Sequence, residues 1–147
     1  MRSPKELVHQ IFQLSRTMTS QLNKEMAEYN LTHAQFVIIQ YLIKNPGSSS
    51  LVDIARYLNV EKSSVTRIVS RLEKSDYIEQ MPSTDHREKR IKLDDSRKDV
   101  IPIVNRMEEQ FESKAFKGIS NEELDTTFQT LLKIMQNINK SGDEHFE

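Results

Sequence analysis

Lys62-Ser63-Ser64-Val65-Thr66-Arg67-Ile68-Val69-Ser70-Arg71-Leu72-Glu73-Lys74 reads as a helix with two chemically different sides. At 3.6 residues per turn, Val65, Ile68, Val69 and Leu72 share one side. Lys62, Ser63, Thr66, Arg67, Ser70 and Arg71 fall on the other, with Ser64 at the N-terminal rim. Short hydroxyl side chains let a backbone come close to a partner and donate to phosphates or bases, and arginine pairs bidentately with guanine. A merely solvated helix more often carries glutamate–lysine pairs. Here Glu73 is the one acid among Lys62, Arg67, Arg71 and Lys74.

Working outward, a short helix precedes this one. Ser50 is its N-cap, and Ile54, Ala55 and Leu58 face inward. The connection is Asn59-Val60-Glu61. After the basic helix the period changes. Tyr77–Met81 and Lys89–Leu93 are short stretches containing β-branched residues around Pro82-Ser83-Thr84-Asp85-His86, which predicts an antiparallel hairpin. Two helices with a tight connection, then a hairpin, describe a winged helix-turn-helix. In such a unit the second helix lies in the major groove of DNA with its N-terminal residues toward base edges. Arg87 at the hairpin tip is the candidate for a narrow minor groove, where the potential is most negative. Lys89 and Arg90 flank it toward phosphates. Asp85 is placed to accept hydrogen bonds that hold the loop or orient an arginine, or to serve as an ordinary turn aspartate.

Helical periodicity dominates the flanks. Leu7, Ile11, Leu14, Met18, Leu22, Met26 and Tyr29 mark one stripe of a long helix. Thr32 and Gln35 form a capping box for the next, whose buried face is Phe36, Ile39, Leu42 and Ile43, ended by Asn45-Pro46-Gly47. Beyond Asp94 the period returns through Val100, Ile103, Val104, Met107, Phe111 and Ala115. Pro102 predicts a kink or a helix start just before it. Gly118 ends this helix, and a capping box at Ser120–Glu123 opens a last one carrying Leu124, Phe128, Leu131, Leu132, Met135 and Ile138. The tail from Ser141 is expected to fray. The fold class is therefore mainly α with a small β hairpin (α+β). A winged helix-turn-helix DNA-binding domain spans residues 31–99, and a helical dimerisation region spans 1–30 and 100–147. The outer helices carry more large apolar residues than so small a core needs.

The chain has 147 residues and a formal net charge of −1, which does not by itself suggest nucleic acid. Its distribution does. Residues 99–147 hold five Lys/Arg against ten Asp/Glu, whereas Arg87, Lys89, Arg90 and Lys92 cluster against Glu88 alone. No cysteine is present, which excludes disulfides and thiolate chemistry and is compatible with the reducing cytoplasm, where we place the protein. No apolar run approaches a membrane span, and MRSPKELVHQ lacks the pattern of a secretory signal. With only three scattered glycines there is no phosphate-binding loop. His9, His33, His86 and His145 show no metal-ligand spacing, and no nucleophile or acid–base pair stands out. No enzyme, cofactor or metal is expected.

Over nearly its whole length the sequence resembles the MarR (multiple antibiotic resistance regulator) family. The resemblance rests on Leu31-Thr32-His33-Ala34-Gln35-Phe36, on Asp53-Ile54-Ala55-Arg56-Tyr57-Leu58 followed by Ser63–Lys74, and on Asp85-His86-Arg87 with Leu93 beyond. It implies a homodimer with interlocking terminal helices that binds a palindromic operator on double-stranded DNA, usually as a repressor. It also implies release of DNA by a small aromatic or anionic effector. Three positions depart from the pattern: Asp76 where glycine is common after the recognition helix, Asp94 for threonine, and Gln80 for arginine. The absent cysteines exclude the peroxide-sensing mechanism of one branch. For the effector, the candidates are His9, Phe12, Leu14, Ser15 and Met18 with the hairpin-to-helix junction. The alternative function is a winged-helix protein-interaction module that does not bind DNA.

Overall fold

The computed structural model describes residues 1–82 and 88–146, with side chains described through residue 140. Helix α1 (Pro4–Met26) opens with a capping box: Glu6 N–H donates to Ser3 Oγ and Ser3 N–H to the Glu6 carboxylate, both at 3.2 Å. A 3₁₀ turn (Ala27–Tyr29) follows, and Asn30 reverses the chain at φ 57°. Helix α2 (His33–Lys44) carries the expected box, with Gln35 N–H on Thr32 Oγ1 at 3.2 Å and Thr32 N–H on Gln35 Oε1 at 2.9 Å. Then come β1 (Ser49–Ser50), α3 (Leu51–Leu58), α4 (Lys62–Lys74), β2 (Ile78–Met81) and β3 (Arg90–Leu93). A 3₁₀ turn (Asp95–Arg97), α5 (Val100–Ala115) and α6 (Asn121–Phe146) complete the chain.

The sheet adds a strand to the expected hairpin. Its order is β1-β3-β2, antiparallel throughout, with Ser49 opposite Ile91 and Ile78 opposite Leu93. Ser50 does cap α3, accepting from Asp53 N–H at 3.1 Å, but its backbone also pairs with Arg90. A two-residue strand has no periodicity to betray it, so only the cap was legible.

Chain reversals follow local rules. Asn59 ends α3 at φ 57°, and Asp76, which stands where the resemblance makes glycine common, adopts φ 60° after α4. Asparagine and aspartate tolerate this left-handed region better than most residues. Pro102 is the third residue of α5, in the first turn, where a missing N–H costs nothing, so the helix starts rather than kinks there. Helix α6 continues through Ser141 to Phe146, past the point where fraying was expected.

The chain packs as two units, residues 1–105 and 106–147. Within the first, Phe36, Ile38, Ile39 and Leu42 of α2 are buried with Ile54 of α3, Val65, Val69 and Leu72 of α4, and Ile78 and Ile91 of the sheet. Ile38 lies outside the single apolar stripe read from sequence. It is fully buried because α2 is surrounded, packing on α1, α4 and β3. Ile68 and Ile43, expected inside, remain half-buried. Tyr77 is buried behind α4: its hydroxyl donates to the Tyr29 carbonyl at 3.3 Å, and the Arg97 guanidinium lies 3.9 Å over its ring. In the second unit, Gly118 turns at φ 80° and the Ser120–Glu123 box starts α6 with both bonds at 3.1 Å. Between residues 121 and 140 every side chain except half-buried Ile134 is exposed.

Candidate nucleic-acid interface

Helix α4 divides as its periodicity requires. Val65, Val69 and Leu72 are at zero exposure, while Lys62, Ser63, Thr66, Arg67 and Arg71 are exposed and Ser64 and Ser70 half-exposed. The α3 connection and the buried stripe therefore turn the hydroxyl and guanidinium side chains outward together. Thr66 Oγ1 donates to the Lys62 carbonyl and Ser70 Oγ to the Thr66 carbonyl, each at 3.0 Å. Their hydroxyl protons are used within the helix, leaving oxygen lone pairs outward. Lys62, Arg67, Arg71 and Lys74 form no ion pair among the described residues, so this face keeps its positive charge.

The base of the hairpin is different. Lys89 Nζ lies 2.6 Å from Glu73 Oε1 of α4. Arg90 donates through Nε to Ser48 Oγ at 2.8 Å, through one terminal nitrogen to the Ser48 carbonyl at 2.9 Å, and through the other to Glu88 at 2.8 Å. Lys92 pairs with Glu79 at 3.2 Å and Asp95 at 3.5 Å; the Glu79 hydrogen bond and the Asp95 charge hold its ammonium pKa above the ordinary value. Asp94 stays below the usual carboxylate range because the Ser96 hydroxyl and N–H both donate to it, at 2.7 and 2.9 Å. Lys89 and Arg90, read from sequence as phosphate contacts, thus face partners in their own chain. Asp85 and Arg87 lie outside the described residues. The partners Glu73 and Ser48 were missed; the lone acid in a basic segment was the available signal for Glu73. A groove of about 330 Å³, lined by Ser50, Leu51, Val52, Asp53, Lys62, Glu88 and Lys89, joins the starts of α3 and α4 to the hairpin base.

The effector candidates do not converge. His9, Phe12, Ser15 and Met18 all lie on α1, where steps of three residues advance about 300°. Together they cover half the helix circumference, with Met18 opposite His9. His9, Phe12, Leu14 and Ser15 are exposed and Met18 is half-buried. Ser15 lines an open recess along α1 with Arg16, Thr19, Ser20, Asn23 and Lys24. Among the described residues no group of three His, Asp or Glu could hold a metal ion. No helix is long and apolar enough to cross a membrane among the described residues. His33, at the first turn of α2 with its N–H on Asn23 Oδ1 at 2.7 Å, has its imidazole pKa lowered by burial.

The family model described as "MarR family" matches residues 29–88, from the turn before α2 to the residue before Lys89. Residues 29–88 therefore carry the MarR-family pattern. Two regulators of Bacillus subtilis (strain 168) are similar to it. The HTH-type transcriptional regulator YwoH is 32% identical over 89 residues, which span 60% of this chain and 64% of YwoH. The HTH-type transcriptional regulator YybA is 25% identical over 141 residues, 94% of this chain and 92% of YybA. A MarR-family regulator from Listeria monocytogenes, solved in complex with a 26mer DNA, shares the fold with a TM-score of 0.82 at 22% identity, covering 96% of this chain and 92% of that one. The MarR fold and family are those of transcriptional regulators rather than of enzymes.

Proposed function

We propose that this chain is a homodimeric, sequence-specific DNA-binding regulator of the MarR family, acting in the cytoplasm as a repressor on a palindromic operator. In this reading α4 enters the major groove, Arg87 reaches the minor groove, and a small aromatic or anionic effector releases the DNA. The observation that carries it is the outward face of α4. Lys62, Ser63, Thr66, Arg67 and Arg71 are exposed on one side of a helix whose other side is anchored by fully buried Val65, Val69 and Leu72. A rigidly seated helix presenting hydroxyls and arginines suits base-edge recognition. The DNA complex of the Listeria relative supports the same use of the fold.

Dimerisation is supported by apolar surface that one chain leaves open. Phe128 is 62% and Ile138 65% exposed, and Leu124, Leu131, Leu132 and Met135 are exposed on the same helix. On α1, Leu7, Val8, Phe12 and Leu14 are exposed as well. So many large apolar side chains left open on one helix, as on α6, are unusual for a monomer.

The test is selection of duplexes from a random-sequence pool, followed by a gel shift against a scrambled duplex of equal composition. The expected result is a recurring sequence with two-fold symmetry and tighter binding than the scrambled control. Equal binding to both would overturn the reading and leave a protein-interaction module. Effector release is tested by adding aromatic carboxylic acids to the selected complex: dissociation supports it, and an unchanged complex across the series removes that part.

A further inference from the structure

We propose that the Glu73–Lys89 ion pair is a positioning device that sets where the hairpin stands relative to α4, and that neither residue reads DNA. This deepens the DNA-binding reading and rests on it. Lys89 is tied on two sides: its carbonyl accepts from Leu51 N–H at 3.3 Å at the start of α3, and its ammonium meets Glu73 at 2.6 Å near the end of α4. The next residue, Arg90, grips Ser48 through its hydroxyl and its carbonyl. Two consecutive residues therefore fasten the hairpin to both helices of the helix-turn-helix and to the loop before β1.

Strand pairing alone does not fix that angle, because a short ribbon twists and bends readily. The pair is suited to fixing it. The side chains are only 28% and 31% exposed, so the attraction is screened less than that of a surface pair. Glu73 also makes little sense as a DNA contact. A carboxylate on a helix that approaches phosphates opposes binding, and the ammonium 2.6 Å away accounts for its presence.

The two roles predict opposite signs. If long-range charge alone mattered, Glu73→Gln would tighten binding to a polyanion. If Glu73 positions the hairpin, the same change weakens it. The experiment measures binding of full-length wild type, E73Q, K89M, E73Q/K89M and the reversed pair E73K/K89E. The probes are a labelled duplex that the wild type selects from a random-sequence pool and a scrambled duplex, titrated from about 50 to 200 mM salt. Each single variant is expected to lose roughly tenfold on the selected duplex, with the double variant no worse than either. The reversed pair should recover to within about threefold of wild type, since it restores the contact with the charges exchanged. The salt slope of K89M should match wild type.

The proposal is overturned if K89M lowers the slope by about 0.9, the signature of a lost phosphate contact. It is equally overturned if E73Q binds as well as wild type or better, or if the reversed pair fails to recover while remaining folded by circular dichroism. Should E73Q not fold, the slope of K89M and the recovery of the reversed pair decide. If the wild type itself selects no duplex over the scrambled control, the DNA-binding reading has failed, a result distinct from all of these.

Discussion

Among single residues, charge and solvent access separate roles that composition blurs. Arg67 and Arg71 are exposed with no ion-pair partner among the described residues, whereas Lys92 is held by Glu79 and Asp95. Arg67→Ala and Arg71→Ala should each weaken binding to the selected duplex by about 1–3 kcal/mol if they read bases. Lys92→Met should leave affinity nearly unchanged. A gel-shift titration checks both, and equal losses in all three variants would contradict the assignment. His33 supplies a pH signature. Burial favours its neutral form, so its folded-state pKa lies below the ordinary 6.5. The unfolded chain takes up the proton first as pH falls, so this contribution is complete above about 6.5 and declines as the pH drops below it. The urea midpoint is expected to decrease from pH 7 to 5.5, and less steeply in His33→Gln; parallel slopes in the two proteins would refute it.

Elements show which rules were legible and which were not. The capping boxes at Ser3–Glu6, Thr32–Gln35 and Ser120–Glu123 are short-range hydrogen bonds, and the latter two were readable from spacing alone. The left-handed turn at Asp76 came instead from the family resemblance, in which glycine is common at this position. Asp76→Gly should raise stability by about 0.5 kcal/mol by relieving that conformation, seen as a higher urea midpoint. An unchanged or lower midpoint would mean that the aspartate side chain contributes more than its backbone costs. Strand β1 and the burial of Ile38 were not readable, because each depends on which distant element lies alongside. The same applies to Lys89 and Arg90. Their charge was visible, but their partners Glu73 and Ser48 are far away in sequence. Leu72→Ala, removing a fully buried side chain from the inner face of α4, should cost about 2–5 kcal/mol.

For the whole molecule, the prediction concerns assembly. Phe128→Asp places a charge on the exposed apolar stripe of α6, which the proposed dimer must bury. Light scattering is expected to move from a dimer mass to a monomer mass while helicity is retained. A wild-type monomer, or a variant dimer as stable as wild type, would refute this use of α6.

The order of helices and hairpin, the basic outward face of α4 and the family likeness were determined by the linear chain. They arise from periodicity, caps and turn residues, whose physics acts within a few positions. Only tertiary packing decided which cations remain free. An ion pair forms wherever folding brings opposite charges within reach, and that distance is not written in sequence separation. Packing therefore joined Lys89 to Glu73, clamped Arg90 on Ser48 and left Arg67 and Arg71 facing outward.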